Sequence, residues 1–196
     1  KEILHAAGSW MVRQRETLAE AIGGGEPRFL SLWDRLADLA YEDQDGAETE
    51  SGFDGDLINE ALNRPGGDLA SALLDALAAT KPADNSGLGD VLGPRFLRLV
   101  EASNRAGLLG RVYIVRELAY LDAIDPDWTG EHLVPRLDWA HEEALPLWQA
   151  YAHGRIGHAR LFNALKPAML QAFERRSLSA RALEGVFVKL FSVAAW

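Results

Sequence analysis

The chain has 196 residues, which is enough for one domain of ordinary size or for a run of helical repeats. Hydrophobic residues make up 48% of it and charged residues 25%, a globular balance that excludes wholesale disorder. The net charge of −9 argues against nucleic acid or an anionic membrane as the partner of the whole surface, because both require a basic face.

The absence of cysteine and of long apolar runs further restricts the class of protein and the kinds of site. Without cysteine there are no disulfides and no thiolate-held zinc or iron–sulfur sites, and a reducing cytoplasmic setting is favoured. No export leader and no run of about 18 apolar residues is visible, so no membrane span is predicted. Because the chain opens at Lys1 inside a helical pattern and closes on apolar residues 186–196, we expect a fragment of a longer multidomain protein.

The N-terminal part predicts two helices followed by an acidic loop. The first helix spans residues 3–22 and stops at the glycines 23–25, which have neither the preceding strand nor the lysine of a phosphate loop. The second begins at Pro27 and ends near Asp43. The segment Asp43 to Asp56 lacks the glycine and glutamate positions of a calcium-binding loop, so we interpret it as a solvated acidic loop.

The stretch from Asp56 to Ala79 is predicted to organise the rest. Its leucines and Ile58 keep helical intervals on both sides of the interruption at residues 63–67, which contains a proline and two glycines. This pattern predicts two apolar helices joined by a tight corner. Other helices must cover such a pair.

Helical patterns continue to the end of the chain. One helix is predicted to open at Pro94, and another to span residues 108–121 despite the strand-like composition of residues 112–115. A turn at residues 124–129 offers Asp or Thr as a helix cap. Apolar spacing from residue 137 to 151 predicts one helix kinked at Pro146. We further expect a helix opened by Pro167 and a last helix capped by Ser177 or Ser179.

These elements predict an all-α fold, a HEAT-like or solenoid-like helical-repeat stack of about nine to ten helices. We expect residues 1–196 to form one α-helical region, with the helical pair and acidic loop in 1–55 and the stack in 56–196. Leu92-Gly93-Pro94-Arg95 is echoed 41 positions later by Leu133-Val134-Pro135-Arg136, a spacing within the range of paired-helix repeats. The echo extends over four residues alone, so chance remains an equal explanation.

No catalytic constellation is evident, and no catalytic, cofactor-binding or metal-binding residue is assigned. The serines lie outside any G-x-S-x-G elbow, and no HExxH spacing occurs. One alternative function is a helical metal-dependent hydrolase that uses the neighbourhood of His141, His153 and His158. The candidate metal ligands in the sequence are His132, His141, Glu142, Glu143, His153 and His158.

A nucleic-acid-binding module is a second alternative, based on local basic residues. Arg175 and Arg176 are adjacent with Arg181 nearby, and Arg155 is close to Arg160. The surrounding acidity opposes this function.

The six tryptophans are expected to pack mainly in the core. Trp139 and Trp148, nine positions apart, are predicted to face opposite sides of one helix. Trp196 is the expected interface residue, since it ends the apolar segment.

Three stretches carry a family resemblance. They are residues 61–69 (ALNRPGGDL), residues 121–129 (LDAIDPDWT), and residues 135–139 (PRLDW) with Leu147 and Trp148. They resemble the helical C-terminal region, of unknown function, of bacterial proteins that often carry an N-terminal sirtuin-like, NAD-cleaving domain and are associated with anti-phage defence. The likeness covers roughly residues 56–175.

The resemblance implies a non-catalytic scaffold or sensor region that regulates an effector domain. It implies as partners the other domains of the same polypeptide and a protein trigger, such as a phage protein. No glycine or histidine here matches the NAD-binding machinery of a sirtuin-like domain, so no catalytic residue and no cofactor are carried over. We therefore expect a cytoplasmic protein-interaction segment that assembles with protein, as a homo-oligomer or with other chains, rather than with nucleic acid or membrane.

Overall fold

A computed structural model describes residues 27–42, 57–174 and 178–194. Every regular element in these ranges is helical, so the all-α class is confirmed for them. None of the described helices has both the length and the apolar composition that crossing a bilayer requires. The elements are α1 Pro27–Glu42, α2 Leu57–Leu62, α3 Pro65–Ala79, α4 Gly89–Glu101, α5 Arg105–Arg116, α6 Leu118–Ile124, α7 Pro126–His132, the 3-10 turn Val134–Leu137, α8 Ala144–Ala152, α9 Ala159–Ala172 and α10 Ala180–Ala194.

Several sequence predictions fall outside the described residues. They concern the helix over residues 3–22 with its glycine stop, the acidic loop from Asp43 to Asp56, the cap at Ser177, and the tryptophans Trp10 and Trp196.

The chain divides into two compact units. The first unit comprises residues 1–83 and 88–114, and the second comprises residues 84–87 and 115–196. The sequence-based boundary between residues 55 and 56 lies within the first unit, and the division between the units falls near the end of α5.

Helix α3 is the centre of the first unit. It is buried from Gly66 to Leu74 and again at Ala76 and Leu77, and helices α1, α2 and α4 pack against it. The predicted corner is confirmed: α2 ends at Leu62 and α3 begins at Pro65, whose missing N–H lies where a helix has no internal acceptor for it. A helix apolar on nearly every side must be covered on every side, which is why its neighbours surround it.

Two buried polar side chains of the first unit, Trp33 and Arg111, donate hydrogen bonds to backbone carbonyls. The Trp33 indole N–H donates to the carbonyl of Leu69 at 3.0 Å, which joins α1 to α3. The Arg111 guanidinium, 2% exposed, donates to the carbonyls of Val100 and Ala102 at the end of α4. These carbonyls have no partner within their own helix, so Arg111 supplies the positive charge that a helix C-terminus favours.

Helix α8 has the central position in the second unit. It is buried at Ala144, at 146–148 and at 150–152, and α10 packs against it. The Trp148 indole N–H donates to the carbonyl of Leu137 at 2.7 Å, which fixes α8 to the 3-10 turn. Asp125 caps α7 by accepting the N–H of Trp128 at 3.0 Å, and Ser179 Oγ accepts the N–H of Ala182 at 3.2 Å, so both predicted capping sites are confirmed.

The predicted kinked helix over residues 137–151 is wrong. Pro146 is the third residue of α8, in the first turn, where its missing N–H removes no internal hydrogen bond. Trp139 therefore lies outside α8, and its ring stacks on Trp148 at 5.6 Å between centroids with 10° between planes. The prediction that the two indoles face opposite sides of one helix is wrong for the same reason.

Two other prolines were assigned to helix starts and lie inside helices. Pro94 is within α4 and Pro167 is within α9. The carbonyls that each proline leaves without a donor belong to Asp90 and Asn163, both exposed residues, so water can satisfy them and the helices continue.

The predicted helix over residues 108–121 is two helices. Glu117, with φ −99° and ψ 19°, separates α5 from α6. The strand-like residues 112–115 are helical, as predicted.

The four-residue echo joins segments of different structure. Its first copy lies within α4, and its second copy lies in the 3-10 turn and the residue before it. The helical-repeat architecture stays a prediction.

Candidate protein-interaction surface

The histidines proposed for a hydrolase occupy helix ends and turns. His141 Nδ1 accepts the N–H of Glu143 at 3.2 Å inside the turn before α8, so this nitrogen is used locally. His153 follows the last residue of α8, and His158 precedes α9. His132 has its ring 5.2 Å from that of Trp128. Within the ranges that the structure describes, no three His, Asp or Glu side chains are grouped as metal ligands.

The basic residues are also divided among different surroundings. Arg160 bonds to the buried carboxylate of Asp122, and Arg155 is exposed on the connection before α9. Arg175 and Arg176 lie outside the described residues. Within the described residues, Arg160 is therefore neutralised by a carboxylate, and the adjacent arginines of the nucleic-acid alternative are not among those residues.

Helix α10 is apolar on two sides. Its inner side buries Ala182, Val186 and the stem of Lys189, and a methyl group added to Gly185 would overlap the carbonyl oxygen of Ala152. Phe187 lies on its outer side. A helix with apolar residues on both sides of its axis is normally covered on both sides. Helix α10 is covered on its inner side and open on its outer side.

The open side of α10 continues onto α9. The large apolar side chains exposed there are between 42% and 57% accessible. The rings of Phe187 and Phe191 are 4.3 Å apart at their centroids, and Phe173 meets Phe187 edge to face at 6.3 Å. We call this set the phenylalanine face; its residues are Leu170 and Phe173 of the α9 end, and Phe187, Val188 and Phe191 of α10.

The phenylalanine face is held in place by a buried lysine. Lys189, 4% exposed, donates from Nζ to the carbonyls of Ala152 at 3.0 Å and Gly154 at 2.8 Å, at the C-terminal end of α8. Its Nζ also lies 5.2 Å from the centroid of the Tyr151 ring. The ammonium therefore completes the end of α8 and anchors α10 one residue away from Val188.

Burial shifts the titration of this anchor. Desolvation lowers the pKa of Lys189 from 10.5 to about 8. Burial, together with the nearby carboxylate of Asp122, raises the pKa of Tyr151. Asp122 is itself buried and accepts a hydrogen bond from Arg160, whose side chain is 51% exposed, so the buried carboxylate is paired with a cation at the surface.

The sequence pointed to the region of the phenylalanine face without identifying its residues. The apolar segment from Val186 onward was expected to pack against other protein, and Trp196 was expected to be its interface residue. The signal that would have found Phe187 and Phe191 is the presence of apolar residues at every side of the helical wheel in residues 182–191.

The fold and this surface define the class: an all-α protein with an exposed aromatic face on its last described helices. Comparison with known proteins adds no identity, because no protein family, no curated protein and no solved structure matches the chain.

Proposed function

We propose that the chain is a non-catalytic helical scaffold that binds another protein through the phenylalanine face. The observation that carries this proposal is a set of three phenylalanine rings, each 42% to 57% exposed, in which Phe187 contacts both Phe173 and Phe191. Phe187 and Phe191 lie on α10, whose other side is buried. Single exposed apolar residues are ordinary on a protein surface. A contiguous aromatic cluster is characteristic of a binding surface.

The size of the face suits the centre of an interface. A phenylalanine contributes about 200 Å² when fully buried, so three rings near half exposure present roughly 300 Å² before Leu170 and Val188 are added. A stable interface covers about 800 Å² on each partner, with an apolar centre and a polar rim. The exposed charged residues Lys166, Glu174, Arg181 and Glu184 on α9, α10 and the intervening segment can supply that rim.

The occupant we propose is an amphipathic helix of the partner protein. The face is built from two helices that pack against each other, and adjacent helices offer ridges and grooves into which a third helix can insert apolar side chains. Apolar residues of the partner at positions i, i+3 or i+4, and i+7 would meet the phenylalanine rings.

The family resemblance suggests what this partner does. In proteins of that kind the helical region is thought to restrain or assemble an effector and to meet a trigger. We propose that this chain regulates an effector domain in the bacterial cytoplasm, as a scaffold or sensor in defence against phage. The residues of the resemblance, such as Pro65, Asp125 and Trp139, build corners, caps and packing in the structure, so they support a shared fold more than a shared activity.

The test introduces a photo-reactive phenylalanine analogue in place of Phe187 in the organism that makes the protein. We expect ultraviolet light to join the chain to one partner protein, and the purified partner to bind the purified wild-type chain. Phe187→Ser with Phe191→Ser should abolish that binding. Leu39, an apolar side chain that is 56% exposed on α1 of the first unit, provides the control Leu39→Ser, which should bind as the wild type does.

Two outcomes would contradict the proposal. One is a partner that binds the double serine variant as tightly as the wild type. The other is crosslinking from residue 187 to copies of the chain alone, with self-association that the serine pair removes; that result would make the face a homo-oligomer interface.

A further inference from the structure

We propose that the first unit carries a binding site for a small apolar zwitterion, of the class of hydrophobic amino acids, in a cleft between the end of α1 and the outer side of α4. The inference is independent of the phenylalanine face. It adds a ligand site to the proposed scaffold.

The cleft is an open depression large enough for a small ligand. Its volume is about 360 Å³, and its lining residues are Tyr41, Pro94, Leu97, Arg98, Glu101 and Ala102. Ligand pockets generally begin at about 300 Å³ and combine mostly apolar walls with a few polar groups. Four of the six lining residues here present apolar or aromatic surface, which suits the side chain of a hydrophobic amino acid.

One group of each charge lines the cleft. Arg98 and Glu101 are three positions apart on α4, so they are neighbours on one side of the helix. No hydrogen bond or ion pair joins the Glu101 carboxylate to another residue in the part of the chain that the structure describes. An amino acid carries a carboxylate for the arginine and an ammonium for the glutamate, on adjacent atoms.

Arg98 can change its partner at small cost. Its guanidinium bonds to Asp38 on α1, and their side chains are 38% and 52% exposed. Exposed ion pairs of this kind contribute about 0 to 1 kcal/mol, so a ligand carboxylate can replace Asp38. The same guanidinium lies 5.7 Å from the centroid of the Tyr41 ring, which places the charge next to the aromatic wall.

Tyr41 adds an unsatisfied donor beside this charge. Its hydroxyl is buried without a hydrogen-bond partner in the described structure. Burial raises its pKa against the opposing effect of Arg98 and Arg111, so the hydroxyl stays protonated at neutral pH. Because the hydroxyl itself is inaccessible, the ring of Tyr41 is the surface that this residue offers to a ligand beside Arg98.

The experiment titrates the full chain with three probes and follows amide resonances of α1 and α4 by NMR. The probes are L-phenylalanine, phenylacetate, which lacks the ammonium, and phenethylamine, which lacks the carboxylate. We expect saturable binding of L-phenylalanine and at least about tenfold weaker binding of each single-charge probe.

Two variants test the roles of Glu101 and Asp38 in ligand binding, and a third is a control. Glu101→Gln should weaken L-phenylalanine binding at least about tenfold, and Asp38→Asn should strengthen it because it removes the competitor for Arg98. Glu131→Gln, which neutralises an exposed glutamate of α7 in the second unit, is the matched control and should have no effect.

Any of three results would overturn the proposal. They are equal perturbation by all three probes, no saturable perturbation by L-phenylalanine up to about 20 mM, and unchanged binding in Glu101→Gln or Asp38→Asn. Saturable binding of phenylacetate at the strength of L-phenylalanine would identify a carboxylate site instead and would equally reject the zwitterion.

Discussion

Individual buried polar groups differ in whether they have partners, and the two tyrosines of the first unit show the contrast. The Tyr113 hydroxyl pairs with Ser71 Oγ at 3.0 Å, whereas the Tyr41 hydroxyl is buried and unpaired among the described residues. A satisfied buried hydroxyl contributes about 1 kcal/mol, and an unsatisfied one costs about 1 to 3 kcal/mol. The same substitution should therefore have opposite effects at the two positions.

We expect Tyr41→Phe to raise the free energy of unfolding by about 1 kcal/mol and Tyr113→Phe to lower it by about 1 kcal/mol. Urea unfolding at neutral pH measures both. If Tyr41→Phe destabilises the protein as much as Tyr113→Phe does, the Tyr41 hydroxyl has an acceptor after all.

Lys189 gives stability a dependence on pH that one substitution can isolate. Its pKa is about 8 in the folded chain and 10.5 when unfolded. Between these values the unfolded state binds more protons, so the free energy of unfolding rises with pH there. The cost of burying the ammonium is fully present below pH 8 and is relieved as pH rises through the folded pKa.

We expect the stability of the wild type, relative to Lys189→Met, to increase by roughly 1.5 kcal/mol as pH rises from about 8 to 9.5. Chemical denaturation of both proteins across this range measures the difference. The tyrosines with raised pKa titrate higher and are present in both proteins, so they largely cancel. A difference that falls with pH would mean that the folded chain stabilises the ammonium.

Close helix contacts require particular glycines. A methyl group added to Gly66 would overlap the backbone carbonyl of Ala106, so the start of α3 can approach α5 because Gly66 has no side chain. Gly93, inside α4, would place its methyl 3.8 Å from the Leu88 side chain, which is an ordinary contact. Both glycines are helical, so helix propensity alone would favour alanine at each.

Gly66→Ala should therefore lower the free energy of unfolding by about 2 kcal/mol or more, since the backbone must shift. Gly93→Ala should raise it by about 0.5 to 1 kcal/mol. Thermal unfolding of the two variants checks this pair. Equal stabilisation by both substitutions would show that α3 and α5 are not in close contact at Gly66.

Helix boundaries were predictable where capping and proline chemistry agreed with apolar spacing. Pro27 and Asp125 mark helix starts in the sequence and in the structure, and the interruption predicted at residues 63–67 contains the corner before α3. The predictions for Pro94 and Pro167 are wrong because water can replace the N–H donor that a proline removes, provided that the carbonyl concerned is exposed. The sequence does not show which carbonyls are exposed. Trp139 and Trp148 were misplaced because spacing continued at helical intervals across a turn.

At the scale of the whole molecule, the all-α class follows from apolar periodicity throughout the described residues. The sequence does not predict which side of α10 stays open. Helix α10 is apolar on both sides, and burial depends on which residues lie nearby after folding. Leu39 on α1 is as exposed as Phe191, and composition alone cannot separate the two. Phe191 differs from Leu39 because it belongs to a cluster of rings in which Phe187 contacts both Phe173 and Phe191.

The most direct test of the phenylalanine face is isothermal titration calorimetry of the chain with its crosslinked partner at several temperatures. We expect a negative heat-capacity change on binding for the wild type, because apolar surface leaves water. Phe187→Ala with Phe191→Ala should weaken binding by at least about 2 kcal/mol and reduce that heat-capacity change, while Leu39→Ala leaves both unchanged. Equal affinity and heat-capacity change in the wild type and the alanine pair would contradict the account.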